Sequence, residues 1–256
     1  MNVSNRLFCS RQSHYRFFLF LSVFLMSGCA GTQAHYSSNL VEFLYPTKDK
    51  EAIAEKPIIP TGLILPVKMG IAFVPEAAST ISGARMTTAL FLSEKLKSEL
   101  MEQIAVMVKQ YPFVKGVELI PTQYLVPRGS FTNLEQIRNL YGIDVIALLS
   151  YDQVQHTDQN SLSVTYWTII GAYMVKGEKN DTSTMIDAAV FHIPDHRMLF
   201  RAAGTSHVSA KSTPVNLSEQ LRLDSYAGFD KAVANLVVNL KAQIEQFQAK
   251  IAKPQP

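Results

Sequence analysis

Several groups of side chains in this chain have types and spacings that could do chemistry. His192 and His196 in "HIPDH" stand four apart, which on a helix would bring two imidazoles to one metal ion. Pro194 between them forbids that helix, Pro194 and Asp195 supply a turn instead, and a third ligand would have to come from afar. Asp144, Asp152 and Asp187 lie on or beside expected strands, and paired carboxylates could act as acid and base. Nothing in their spacing pairs them: Asp144 opens a strand after Gly142, and Asp187 is expected at a solvated or edge position. Ser150, Ser206 and Ser209 lack the G-x-S-x-G elbow or S-x-x-K partner of a nucleophile. "GAYMVKGEK" offers Gly171, Gly177 and Lys179, but the glycines are six apart and Glu178 intrudes. A phosphate loop leads from strand to helix, whereas this segment is expected to lead from strand into a hairpin turn. The residues therefore name no catalytic group, no cofactor site and no metal site, and the chain is read as a non-enzyme.

Cys29 has a chemistry fixed by its position. Arg6, Arg11 and Arg16 precede a run from Phe17 to Met26 without charge, which ends at Ser27-Gly28-Cys29. Basic, apolar and small-residue regions in that order make a secretory signal, and the apolar run falls short of the roughly 20 residues a membrane-crossing helix needs. Met26-Ser27-Gly28-Cys29 resembles the bacterial lipobox, in which the cysteine is acylated and becomes the new N-terminus. More than one acyl chain, each methylene contributing about 0.8 kcal/mol, makes a stable membrane anchor. Ala30 is not the aspartate of an inner-membrane retention signal, so the periplasmic face of the outer membrane is the expected place.

Processing changes what the composition means. The full chain has 24 Lys+Arg, 21 Asp+Glu and six His, with a pI near 8.7. Three of the basic residues and none of the acids lie in residues 1–28, so the mature chain carries 21 of each and no basis for a nucleic acid partner. Cys9 leaves with the signal and Cys29 is acylated, which excludes disulfides and thiol catalysis. The remaining 228 residues suffice for one domain held by its core.

Residues 29–66 hold four prolines and the charged "KDKEAIAEK", and read as a lipidated tether with one short apolar anchor, "LVEFLYP", docked on the domain. The domain, 67–252, opens with the strand "VKMGIAFVP". In 87–112 Leu92, Leu96, Leu100, Ile104, Met107 and Val108 make an amphipathic helix that stops before Pro112. "VELIP" is a short strand, and Thr132 with Glu135 forms a capping box for a helix ended by Gly142. A strand "IDVIALLSYDQV" follows, then three β-rich segments between 162 and 209 joined by the turns "GEKND" and "PDHR". After a polar loop, an apolar stripe from Phe229 to Ile251 marks a closing helix, and 253–256 are a disordered tail. The expected fold is a single α+β domain of order β-α-β-α-β-β-β-α, with a mixed, mostly antiparallel sheet and helices mainly on one face.

"YWTIIGAYMV" (166–175) bears no charge and has the length of a membrane-spanning strand. Both of its alternating faces are apolar, which fits a strand covered on both sides better than one between lipid and water.

The lipobox, "SSNLVEFLYP" after it, "PVKMGIAFVPE", and the stretch from Tyr166 through "DAAVFHIPDHRMLFRAAGTS" together resemble the rhombotarget, or rhombotail, lipoproteins of bacteria that carry the rhombosortase processing system. The resemblance covers most of the mature chain and implies no activity at any residue. Rhombosortase substrates end in a Gly-rich, apolar, Arg-terminated tail, whereas this chain ends "FQAKIAKPQP", so that processing is not implied. The element order is also similar to the curli secretion-channel lipoprotein and to lipoprotein activators of penicillin-binding proteins, which implies assembly or docking. The expectation is a protein held to the outer membrane through Cys29, with an envelope protein as partner. The alternative is a homo-oligomeric secretion or pore lipoprotein with 162–193 in the membrane, where charge placed at Ile169 and Ile170 would abolish insertion.

Overall fold

The structure, a computed structural model, describes residues 32–46, 62–76, 80–82, 92–159, 178–213 and 215–252. Seven strands form one mixed sheet: β1 (Thr32–Ser37), β2 (Val67–Phe73), β3 (Thr80–Ser82), β4 (Val114–Ile120), β5 (Val145–Gln159), β6 (Glu178–His192) and β7 (Arg197–Ser212). Among the described residues four α-helices accompany them: α1 (Leu40–Leu44), α2 (Glu94–Val108), α3 (Ser130–Tyr141) and α4 (Leu217–Ile251). The α+β class and the mixed sheet agree with the sequence.

β5 is the spine. Its residues 145–149 pair in parallel with β2, whose other edge takes β4 in parallel. Its residues 152–157 pair antiparallel with β1 on that same edge, and β1 takes β3. Along its whole length the opposite edge pairs with β6 in unbroken antiparallel register, from Val145↔His192 to Gln159↔Glu178, and β7 lies outside β6. Parallel pairing is thus confined to β2, whose near-continuous apolar run suits a strand covered on both faces.

The two long helices, α2 and α4, cover one face, where Leu100, Ile104, Leu236 and Ile244 pack on Ile71, Phe73, Ala147 and Leu149. The shorter α1 and α3 cover one end of the other face, with Phe43, Leu44, Leu134 and Ile137 on Val74, Ile146 and Leu148. Gly142 ends α3 in the left-handed region (φ 62°), as glycine there allows.

Residues 32–46, expected as tether, are part of the domain. The anchor "LVEFLYP" does dock: Asn39 Oδ1 caps α1 by accepting from the Val41 and Glu42 amides, and Ser130 Oγ and Arg128 Nη2 donate to the Leu44 and Pro46 carbonyls. The six residues before it add strand β1, which has too little apolar alternation to be read as one. The expected capping box is also displaced. α3 starts two residues before Thr132, with Gly129 at its cap and no side-chain cap bond, while Asn133 turns back to accept from Val126 N and donate to Tyr124 O.

"GEKND" is not a turn in its described part, since Glu178–Asp181 are paired on both sides within β6. Asn180 Nδ2 donates to Ser212 Oγ and Lys179 pairs with Asp181, so the polar side chains find partners across and along the sheet. Of the stretch 162–193 expected in the membrane for the pore alternative, 178–192 are this central strand, with Ile186, Ala188 and Val190 in the core. Residues 162–177, with Gly171, Gly177, Ile169 and Ile170, lie outside the described residues, as does Cys29.

α4 is 35 residues long, roughly 52 Å at 1.5 Å per residue. It begins twelve residues before the apolar stripe, and its first turns bury Leu217 and Leu221 together with polar side chains. Gln155 Nε2 donates to Leu221 O, Gln153 Nε2 to Ser225 O and Thr184 Oγ1, and Ser225 Oγ to Gln153 Oε1. Asp224 is buried there with one oxygen accepting from Gln220, and burial pushes its carboxyl up from the usual range. Farther along, α4 lies almost on β7: a Cβ at Gly204 would collide with the backbone at Ala232 O and Leu236 N. Asn235 Oδ1 accepts from Thr205 N and Asn239 Nδ2 donates to Ala203 O, so α4 also seals the middle of the β7 edge.

Candidate functional site

Side chains alternate along β5, so Val145, Ala147, Leu149 and Tyr151 face α2 and α4, and Ile146 and Leu148 face α1 and α3. Past Leu148 the second face carries Ser150, Asp152, Val154 and His156 instead of large apolar residues. Neither α1 nor α3 reaches that far, and an open groove of roughly 820 Å³ occupies the place between α1, β1, the second half of β6 and the start of β7.

The groove floor is polar and paired. Asp187 faces Ser150 directly across the β5–β6 ladder and Asp152 faces Met185, so the two carboxylates are diagonal neighbours, roughly 7 Å apart by sheet geometry. Arg201 Nε donates to Asp187 Oδ1 over 2.6 Å, and His35 Nε2 lies 2.7 Å from Asp152 Oδ1. Asp187 is 4% exposed, so its expected solvated or edge position is wrong: β6 lies between β5 and β7, and its side chains have sheet neighbours on both sides. Arg201 is more than half exposed. The hydrogen bond to Asp187, and then the charge of that carboxylate, hold the guanidinium proton more tightly than usual, and Nε is the one bonded nitrogen of Arg201 among the described residues.

The rim is apolar. Met198, Tyr45 and Val41 are each at least half exposed, and Met185 stands between them and the floor. One wall is His196, stacked on Phe131 at 4.3 Å between centroids, with Phe191 edge-on to the same ring. The left-handed φ of His196 (56°) closes the "PDHR" turn, where its amide donates to Ile193 O.

Three of the chemistry-bearing residues named from sequence, Ser150, Asp152 and Asp187, thus meet in one groove, and His196 borders it. Asp144 does not, being bonded to Arg138 beyond the other end of β5. Ser206 donates to Gly228 O, and Ser209 bonds Asp181. His35 pairs opposite Val154, four residues along β5 from Ser150, a strand distance of about 13 Å that rules out contact between that serine and that imidazole. Asp187 is engaged by Arg201 and Asp152 by His35, so the two carboxylates are held apart by separate partners rather than paired with each other. His192 is buried with Nδ1 3.0 Å from Asp195, while His196 stacks on Phe131; the two imidazoles are committed separately, and no group of three metal-binding side chains occurs among the described residues.

The strand register creates one array that spacing does not reveal. Ser183 Oγ lies 3.2 Å from His207 Nδ1, whose Nε2 is 3.6 Å from Asp181. The longer contact exceeds a hydrogen bond, Lys179 and Ser209 already bond Asp181 and hold its carboxyl below the usual range, and the surrounding amides belong to sheet strands. The array has no donors to receive an oxyanion. Sequence also misses His35 and Arg201: His35 stands in the expected tether, and Arg201 finds Asp187 only through the β6–β7 register.

No protein-family model matches the chain, and no curated protein matches it. The groove is therefore interpreted from its own chemistry. Among the described residues no helix is long and apolar enough to cross a membrane.

Proposed function

We propose that this protein is a lipoprotein, acylated at Cys29 and held on the periplasmic face of the outer membrane, whose α+β domain binds another envelope protein through the groove between α1 and β7. One observation carries the binding role: an unfilled groove lined by methionine, tyrosine, phenylalanine and arginine, the residue types enriched where proteins meet. Methionines at the rim adapt to varied partner surfaces, and the paired floor fixes polar groups without supplying a reacting one. Acylation rests on the lipobox sequence.

A photo-crosslinking residue in place of Met198, in the lipidated protein in its own membranes, tests the role against the same residue in place of Val238, which is exposed on α4. The expected result is one recurring adduct from position 198 that Met185→Asp abolishes while the circular dichroism is unchanged. Equal adducts from both positions would sink the proposal. A wild-type phenotype from a secreted Cys29→Ser form would remove the need for anchoring.

The 15-residue arms of β5 and β6 give the second reading, a homo-oligomeric pore, a narrower form in which the connection between them enters the membrane. A native mass that is a large multiple of this chain alone would favour it over a small species with one companion.

A further inference from the structure

We infer that the far end of the β5–β6 hairpin, where Thr157, Lys179 and Lys211 lie, rests on the phospholipid headgroups of the bilayer; the inference depends on the reading that Cys29 is acylated. The tether expected from sequence would have let the domain roam, with 37 residues between lipid and fold. Instead β1 begins at Thr32, three residues after Cys29, and three extended residues reach about 10 Å at most. Thr32 is paired with Thr157 and Gln33 with His156, so the acylated residue is leashed to this end of the sheet and to no other.

β5 runs from there for fourteen residue steps to Val145, roughly 45 Å. The loop before β4, the end of α3 and the β6–β7 turn all belong to that opposite end. A second observation is independent of the leash. Lys179 and Lys211 are exposed and directly opposed across the β6–β7 ladder. Like charges so placed repel. Asp181 answers Lys179 at 2.8 Å, while Lys211 has no ion pair among the described residues. An anionic headgroup layer supplies the countercharge.

The mature chain has no thiol besides the acylated one, so single cysteines can be labelled without background. Ser209→Cys and Val215→Cys report the hairpin end, and Lys109→Cys and Asn139→Cys the opposite end; all four positions are exposed. The lipidated protein, each variant carrying an environment-sensitive fluorophore, is reconstituted in phosphatidylethanolamine–phosphatidylglycerol vesicles containing headgroup spin-labelled lipid. Several-fold stronger quenching at 209 and 215 than at 109 and 139 is expected. Equal quenching at all four, as for a domain lying flat, or stronger quenching at 109 and 139, overturns the orientation. The mass of the N-terminal peptide is read on the same samples: an unmodified Cys29 defeats the acylation reading itself, whereas an acylated Cys29 with the wrong quenching pattern defeats only the orientation.

Discussion

A carboxylate inside a sheet needs a donor, and at Asp187 the donor is Arg201. Removing the donor should cost more than the surface position of Arg201 suggests, because the carboxylate that stays behind is buried. Hydrogen bonds to charged groups contribute about 1.5–3 kcal/mol, and solvent around a half-exposed guanidinium puts Arg201→Met near the lower figure. Arg201→Met/Asp187→Asn should recover part of that loss, since it leaves no buried charge. Urea midpoints of wild type, single and double variants measure both; a single variant as stable as wild type would mean Asp187 does not depend on Arg201. The residue types in this groove were legible in the sequence, but their company was not. Alternation in "TSTMIDAAVFHI" puts Asp187 on the face opposite Ile186 and Ala188. It does not tell whether that face is covered, which depends on where α1 and α3 stop.

Elements with an apolar period were legible and those with a polar interior were not. Both βα units before β5 show in the spacing of Leu and Ile, since each buries a stripe. The first twelve residues of α4 bury Leu217 and Leu221 but otherwise lie over Gln153 and Gln155, whose amides donate to helix carbonyls, so their apolar period is too short to read. β1 is invisible for a related reason, as "TQAHYS" gains its place through the edge of β5. α4 packs closely on β7, and Gly204 permits it. Gly204→Ala would drive a methyl into helix backbone, which cannot rotate away as a side chain can. Overpacking of this kind costs roughly 1–3 kcal/mol and sometimes more. The expected outcome is a fall in Tm at the upper end of that range, whereas Ala203→Gly on the same strand should have a much smaller effect. Equal Tm for Gly204→Ala and wild type would show that the helix does not sit so close.

For the whole molecule, residues 32–46 belong to the folded domain that was expected to open at 67. Phe43 and Leu44, each 2% exposed, close the end of the second face, and a chain shortened to begin at Gly62 would uncover Ile146, Leu148 and Phe131 there. Losing two such side chains costs on the order of 5 kcal/mol or more by the scale of large-to-Ala changes, so the shortened chain should unfold at markedly lower urea and bind a hydrophobic dye. A midpoint equal to that of the chain beginning at Ala30 would restore the tether. The amides of Asn235 and Asn239 have a consequence at this scale too. A sheet is a template whose open edges can copy themselves, and one copy added to each edge in turn makes a fibre. Here the β7 template is interrupted at its centre by the protein's own side chains, so a copy adding to that edge would first have to displace both asparagines.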